Sequence, residues 1–210
     1  MDHEQMEMHD LGRFGRPEAF RRFQESTATK PVSRRGLLKL GALTLAVVVG
    51  ERSPALAALS FSGPRRLRMV NTHTLERVDA VYFEGGCYIR SALEDLNHLL
   101  RDHRTGEVFP VDPGVLDIAW GLARAVGKAG GEFEIISGYR SRATNDDLWR
   151  KGRNVARNSL HCLGMALDLR MPGVSLRRLR DAAIDLGRGG VGYYPRPDFV
   201  HVDTGRIRRW

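Results

Sequence analysis

Cysteine is scarce in this chain: Cys87 and Cys162 are the only two among 210 residues. Neither belongs to a C-x-x-C pair. An oxidising compartment would let them bond to each other, but sequence does not set the distance a disulfide needs. A buried structural role is the expectation for Cys162, although its position directly after His161 leaves a thiolate ligand open. Long apolar runs are missing too. The most apolar stretch, Leu40 to Gly50, would cover roughly half of a ~30 Å hydrocarbon core at ~1.5 Å per residue, too little for a stable membrane helix. There is no internal repeat, no low-complexity tract and no regular βαβ alternation. Aromatic residues make up 8% of the chain, and its arginines are spread out with no basic-aromatic cluster. The pI of about 10.1 therefore does not read as nucleic-acid binding.

What is present begins with a segmented N-terminal region. Residues 1 to 32 are polar. Arg34 and Arg35 follow as an adjacent pair, then the apolar run, then small residues ending in Ala55-Leu56-Ala57. Basic, apolar and A-x-A segments in that order form the pattern of a secretory signal, and the paired arginines point to the twin-arginine export machinery. Residues 1–57 are thus expected to be an export region and 58–210 the working domain, released into the periplasm with no membrane span. That domain holds 24 basic and 18 acidic residues, a net charge of +6. Exported and basic, it would be drawn to an anionic wall polymer or membrane surface.

In the mature part, "RRLRMVNTHTLERVDAVYF" alternates apolar and polar residues and predicts two strands with a turn near Thr74. Leucines at 93, 96, 99 and 100 predict a helix opened by Ser91, and Asp112-Pro113 opens a second that ends near Gly130-Gly131. "EFEIISGYRS" is a strand running into a turn at Gly138. "ATNDDLWRKG" is a short helix or loop. "MALDLRM" is a half-buried strand, "SLRRLRDAAIDLG" an amphipathic helix, and "FVHVDTG" a final strand reached through a turn at "GGVGYYP". Hairpins mixed with helices predict an α+β fold with a small antiparallel sheet flanked by helices.

Three residues stand out against these patterns. Asp168 interrupts an apolar strand, His201 sits between two valines, and His161 lies in a loop closed by Gly164. Two neutral imidazoles and a carboxylate would suit a zinc ion, whose fourth position stays open to water. An ordinary loop histidine and an ordinary polar residue remain the alternative on spacing alone. His98 and His103 are explained as solvent-facing, and His73 as a turn residue.

Taken together, "SGYRS", "SLHCLGMALD" and "FVHVD" resemble the zinc D-Ala-D-Ala metallopeptidases of the hedgehog-type fold, whose pattern is S-x-H-x6-D followed by an acidic-x-x-H. The wider run "LNHLLRDHRTGEVFPVDP…ISGYRS…GGVGYYP…FVHVDTG" is similar to that family's twin-arginine-exported murein endopeptidase branch, over residues 64 to 210. The resemblance implies zinc ligands at His161, Asp168 and His201, and Arg140 as the residue that holds substrate and stabilises the oxyanion. It implies substrate contacts at Asn145 and Ser159, although an asparagine reaches less far than the family's glutamine and Ser159 could equally cap its loop. For the general base it points to Asp198, three before the last histidine, where relatives carry glutamate. Asp203, on the same strand face as His201, competes either as base or as the residue orienting the imidazole. The implied activity is hydrolysis of peptidoglycan stem-peptide cross-links. A D,D- or L,D-carboxypeptidase and a non-catalytic wall-binding module are the alternatives.

Overall fold

Apolar alternation builds the sheet at the centre of the molecule. The computed structural model describes residues 63–153 and 155–210, so the expected export region lies outside the described residues. Eight strands form one sheet among them: β1 (Arg65–Asn71), β2 (Arg77–Glu84), β3 (Cys87–Tyr88), β4 (Glu132–Ser137), β5 (Ala166–Arg170), β6 (Gly190–Tyr194), β7 (Phe199–Asp203) and β8 (Arg208–Arg209). Their order is β3-β2-β1-β4-β5-β7-β6-β8. The α+β class holds, with a larger and more varied sheet than expected. β1 runs parallel to β4 and β6 parallel to β8, the other neighbours being antiparallel. Segment "GGVGYYP", expected as a turn, supplies β6.

One face of the sheet is the core. Met69 pairs with Phe133, Ile135 with Leu169, and Leu167 with Val202. All six are at most 1% exposed. Each side chain of this size buried from water contributes roughly 1.5–3 kcal/mol. Helices cover this face: α1 (Arg90–Leu99) packs on β2, α2 (Pro113–Ala125) on β1 and β7, and α4 (Leu176–Leu186) on α2, β6 and β7. Asp112 caps α2 by accepting from the Gly114 amide, with Pro113 in its first turn. Two helix ends differ from expectation. α1 starts at Arg90, so Ser91 lies inside the helix and the cap position falls to Ile89. α2 stops at Ala125, because Gly127 takes a φ of +70° and the Lys128 amide turns back to the Ala123 carbonyl.

The opposite face carries Glu134, Asp168, Arg170 and His201, with Gly192 paired beside His201. A bulge in β4 adjusts this face. Ile135 pairs with Leu169, yet Ser137 rather than Ile136 pairs with Asp168. One extra residue thus re-aims the chain, bringing Ser137 and the following Gly138–Arg140 alongside Asp168. The remaining helix, α3 (Arg142–Arg150), starts immediately after and is capped by Ser141, which accepts from the Thr144 amide.

Candidate metal centre

His201 and Asp168 meet because β5 and β7 pair in a register that sets them opposite each other. His201 Nδ1 lies 2.8 Å from Asp168 Oδ1. His161 arrives on a short 3-10 turn, Leu160–Leu163, capped by Ser159 and ended by Gly164 at a φ of 65°. A side chain at Gly164 would be strained by that angle and would meet the Pro110 carbonyl at 2.6 Å. Held this way, His161 Nε2 is 3.2 Å from His201 Nδ1 and 3.3 Å from Asp168 Oδ1. The three residues are buried and form the one candidate metal cluster of this kind among the described residues.

The outer nitrogens decide what the inner ones offer. His161 Nδ1 lies 2.7 Å from the Gly138 carbonyl, which can only accept, so this nitrogen carries the proton. His201 Nε2 lies 3.0 Å from Asp203 Oδ2, a carboxylate, and donates to it. Both rings then present a lone pair to the same space, beside the Asp168 carboxylate. Three electron-rich atoms facing one another in a buried site need a cation. Ligands at ~2.0–2.1 Å from a tetrahedral zinc lie about 3.3–3.4 Å from each other, and the observed edges of 2.8, 3.2 and 3.3 Å are close to that. The donor set fits a zinc-type ion. With a proton in place of the metal, burial opposes charge on His201, but the hydrogen bonds to Asp168 and Asp203 outweigh it and push it up to about 9. Burial likewise works against ionising Asp168, yet the neighbouring imidazoles hold it well below the usual carboxylate range.

Asp203 is 0% exposed. Besides His201 it accepts from both terminal nitrogens of Arg208 and from the Gly190 and Gly205 amides, at 2.7 to 3.0 Å. Burial raises the cost of its charge, and these donors still keep it well below the ordinary range. Its lone pairs are committed to holding the ring of His201. Asp198 is placed differently. It sits at a φ of 60° in the turn between β6 and β7, with its side chain 60% exposed and Oδ2 2.9 Å from Arg170 Nη1. Arg170 follows Asp168 by two residues on the same face of β5 and also reaches Glu134. Asp198 is therefore at the rim, outside the cluster of His161, Asp168 and His201.

Arg140 lies over the centre. Its Nη2 is 3.2 Å from Ser137 Oγ and 3.8 Å from Asp168 Oδ2, and its Nη1 is 3.3 Å from Asn145 Oδ1. Its Nε is buried with no partner. Burial pulls its pKa below the usual guanidinium value, and Asp168 acts against that. Asn145, expected to touch substrate, is 0% exposed and fully engaged. It accepts from Arg140 and donates to the Ala156 and Arg157 carbonyls. The shorter amide holds the arginine and the following loop instead of facing outward. Ser159 Oγ accepts from the His161 amide at 3.4 Å, the capping role. Cys162 is buried and outside the cluster, Cys87 is exposed, and both are free thiols.

Three participants escaped sequence reading: Ser137, Arg208 and Asp102. Asp102 accepts from the Ser141 amide and hydroxyl at 3.0 and 2.7 Å and so anchors the loop that carries Arg140. No periodicity signals such partners: Asp102 acts across 39 residues, Ser137 through a bulge, and Arg208 from the short strand that follows the turn after Asp203.

A family model described as "Peptidoglycan L,D-endopeptidase MepK" matches residues 56–210. Peptidoglycan L,D-endopeptidase MepK of Escherichia coli (strain K12) is 42% identical over 178 residues, covering 85% of this chain and 97% of that protein. The protein of the same name from Shigella flexneri gives the same figures. The probable peptidoglycan L,D-endopeptidase MepK of Haemophilus influenzae is 38% identical, over 85% of this chain and 95% of its own. No solved structure gives a significant match.

Proposed function

The chain belongs to the family of peptidoglycan L,D-endopeptidase MepK, and from that membership we propose that it is an exported peptidoglycan endopeptidase that uses zinc to hydrolyse cross-links between stem peptides. The observation carrying this reading is the convergence of two imidazole lone pairs and a carboxylate beneath a buried arginine with an unpartnered Nε. His161, Asp168 and His201 would hold the ion. A zinc ion there supplies Lewis acidity, polarising the scissile carbonyl and bringing the pKa of water down to ~7.

The protein's own groups do the rest. Asp203 holds the tautomer and orientation of His201, as a carboxylate behind a ligating histidine does. Arg140, braced by Ser137 and Asn145, holds its guanidinium beside the centre, where its charge stabilises the carbonyl oxygen as water adds to the carbon and negative charge develops there. A guanidinium suits this task because it stays charged and its donors are fixed in a plane. The amide C–N bond then breaks, and the proton released by the attacking water passes to the leaving amine. Asp198 is the proposed carrier of that proton. It is the more exposed of the two acids that Arg170 pairs with, 60% against 29% for Glu134, and the lone pairs of Asp203 are all occupied.

Residues 1–57 are proposed to direct twin-arginine export to the periplasm. Changing Arg34 and Arg35 to lysine should then retain the protein in the cytoplasm, as read by cell fractionation.

The deciding experiment is digestion of purified sacculi by the zinc-loaded protein, with and without chelator, followed by mass analysis of released muropeptides. Chelator-sensitive conversion of cross-linked dimers to monomers is expected. Loss of a single terminal residue would indicate a carboxypeptidase, and binding without cleavage a wall-binding module.

A further inference from the structure

Beside the ring of His201 lies a tryptophan that the mechanism does not use. Trp210 follows β8, and its main chain is pinned to β6: its amide donates to the Val191 carbonyl at 3.2 Å, and its carbonyl accepts from the Tyr193 amide at 3.0 Å. The indole folds back across the sheet face. It lies over Gly192, which pairs with His201 in the β6–β7 register. A Cβ at that glycine would come within 2.8 Å of indole atoms Cε2 and Cζ2, so the bare backbone is what admits the ring. The indole centroid is 5.3 Å from that of His201. Its Nε1 donates to the Tyr194 hydroxyl at 2.7 Å. Tyr194 in turn stacks on Phe199 at 4.7 Å.

Three rings thus run without interruption from a metal ligand to the turn that carries Asp198. Trp210 nevertheless remains 51% exposed. Its one polar side-chain atom is satisfied inwardly, so the surface its indole offers to solvent is apolar carbon. A residue held by two main-chain bonds and one indole bond, and left half exposed beside a reaction centre, is organised for contact with a ligand.

We propose that Trp210, supported by Tyr194 and Phe199, is the substrate-binding wall on the His201 side of the centre, receiving the aliphatic flank of the stem-peptide residue next to the scissile bond. This rests on reading the centre as a peptidase. Proximity selects the peptide over the glycan. An extended chain advances at most ~3.3–3.6 Å per residue, so a surface this close to a ligand ring meets the residue adjoining the cleaved amide.

The test uses the full zinc-loaded protein and a soluble cross-linked stem-peptide dimer freed of glycan. Wild type, Trp210→Ala, Trp210→Phe and Tyr194→Phe are compared for KM, kcat, bound zinc and thermal midpoint. Trp210→Ala should raise KM about tenfold, the order expected when apolar contact area is lost from uniform substrate binding, with kcat changed less than twofold. Trp210→Phe should recover most of that loss, and Tyr194→Phe should fall between. Unchanged KM on the dimer overturns the proposal. So does a loss seen on sacculi but not on the dimer, which would assign the wall to glycan. If Trp210→Ala loses zinc or its fold, the two conservative variants carry the same comparison. If wild type does not cleave the dimer, the peptidase reading itself fails. Calorimetric binding of the dimer then decides separately, equal affinity in wild type and Trp210→Ala, or no binding in wild type, counting against the wall.

Discussion

Asp203 holds His201 from behind: its Oδ2 accepts from Nε2 at 3.0 Å, on the side of the ring away from Asp168. The carboxylate is itself locked by Arg208 and two backbone amides. Asp203→Asn would place an NH2 group against one of these donors and release the ring. Zinc affinity should fall about 10–100-fold, the usual cost of losing such a partner. Competition against a chromogenic chelator measures it. Wild-type affinity in the variant would remove Asp203 from the orienting role.

Asp198 gives the contrasting case. It lies at the rim and touches no ligand, so Asp198→Asn should leave zinc affinity intact. If Asp198 carries the proton, kcat on the cross-linked dimer should drop about 10²–10⁴-fold with KM little changed. Full kcat in this variant would mean that another group carries the proton.

Arg140 is positioned by Ser137 and Asn145 together. Arg140→Lys should lower kcat roughly 10²–10³-fold, since one ammonium cannot span both partners and still present a free donor to the oxyanion. Asn145→Ala should act through the same arginine, lowering kcat while also costing about 1–3 kcal/mol of stability from the unpaired Ala156 and Arg157 carbonyls. Steady-state kinetics and urea unfolding separate the two effects.

Asp102 supplies a pH-dependent test of the loop anchor. Burial opposes its ionisation, but bonds from Thr144, Ser141 and the Arg104 and Ser141 amides win and bring it down to about 2 from 3.8. A carboxylate lowered in the fold stabilises above its unfolded value, and that contribution disappears as pH falls towards the folded one. Asp102→Asn should therefore be less stable than wild type by about 2 kcal/mol above roughly pH 5. The gap should close between about pH 4 and pH 2. Urea unfolding of both proteins across that range checks it, and a gap independent of pH would show that the ionised carboxylate is not what holds the loop.

Local pattern made a good part of this protein legible. The strands with apolar residues on one face, the Asp112-Pro113 helix start and the α+β class follow from alternation and capping, which act over a few residues. His161, Asp168 and His201 could be singled out because each is a polar group where the surrounding pattern calls for none. What those three do together depends on the β5–β7 register and on the turn at Gly164. The tertiary structure alone set the bulge that brings Ser137 opposite Asp168. It alone turned Asn145 inward onto Arg140, paired Asp198 with Arg170, closed Arg208 around Asp203 and laid Trp210 over Gly192. Those contacts join strands, turns and a helix whose spacing in sequence carries no record of which side chains will face each other. Periodicity specifies the face a residue occupies, and only the pairing of strands specifies its neighbour.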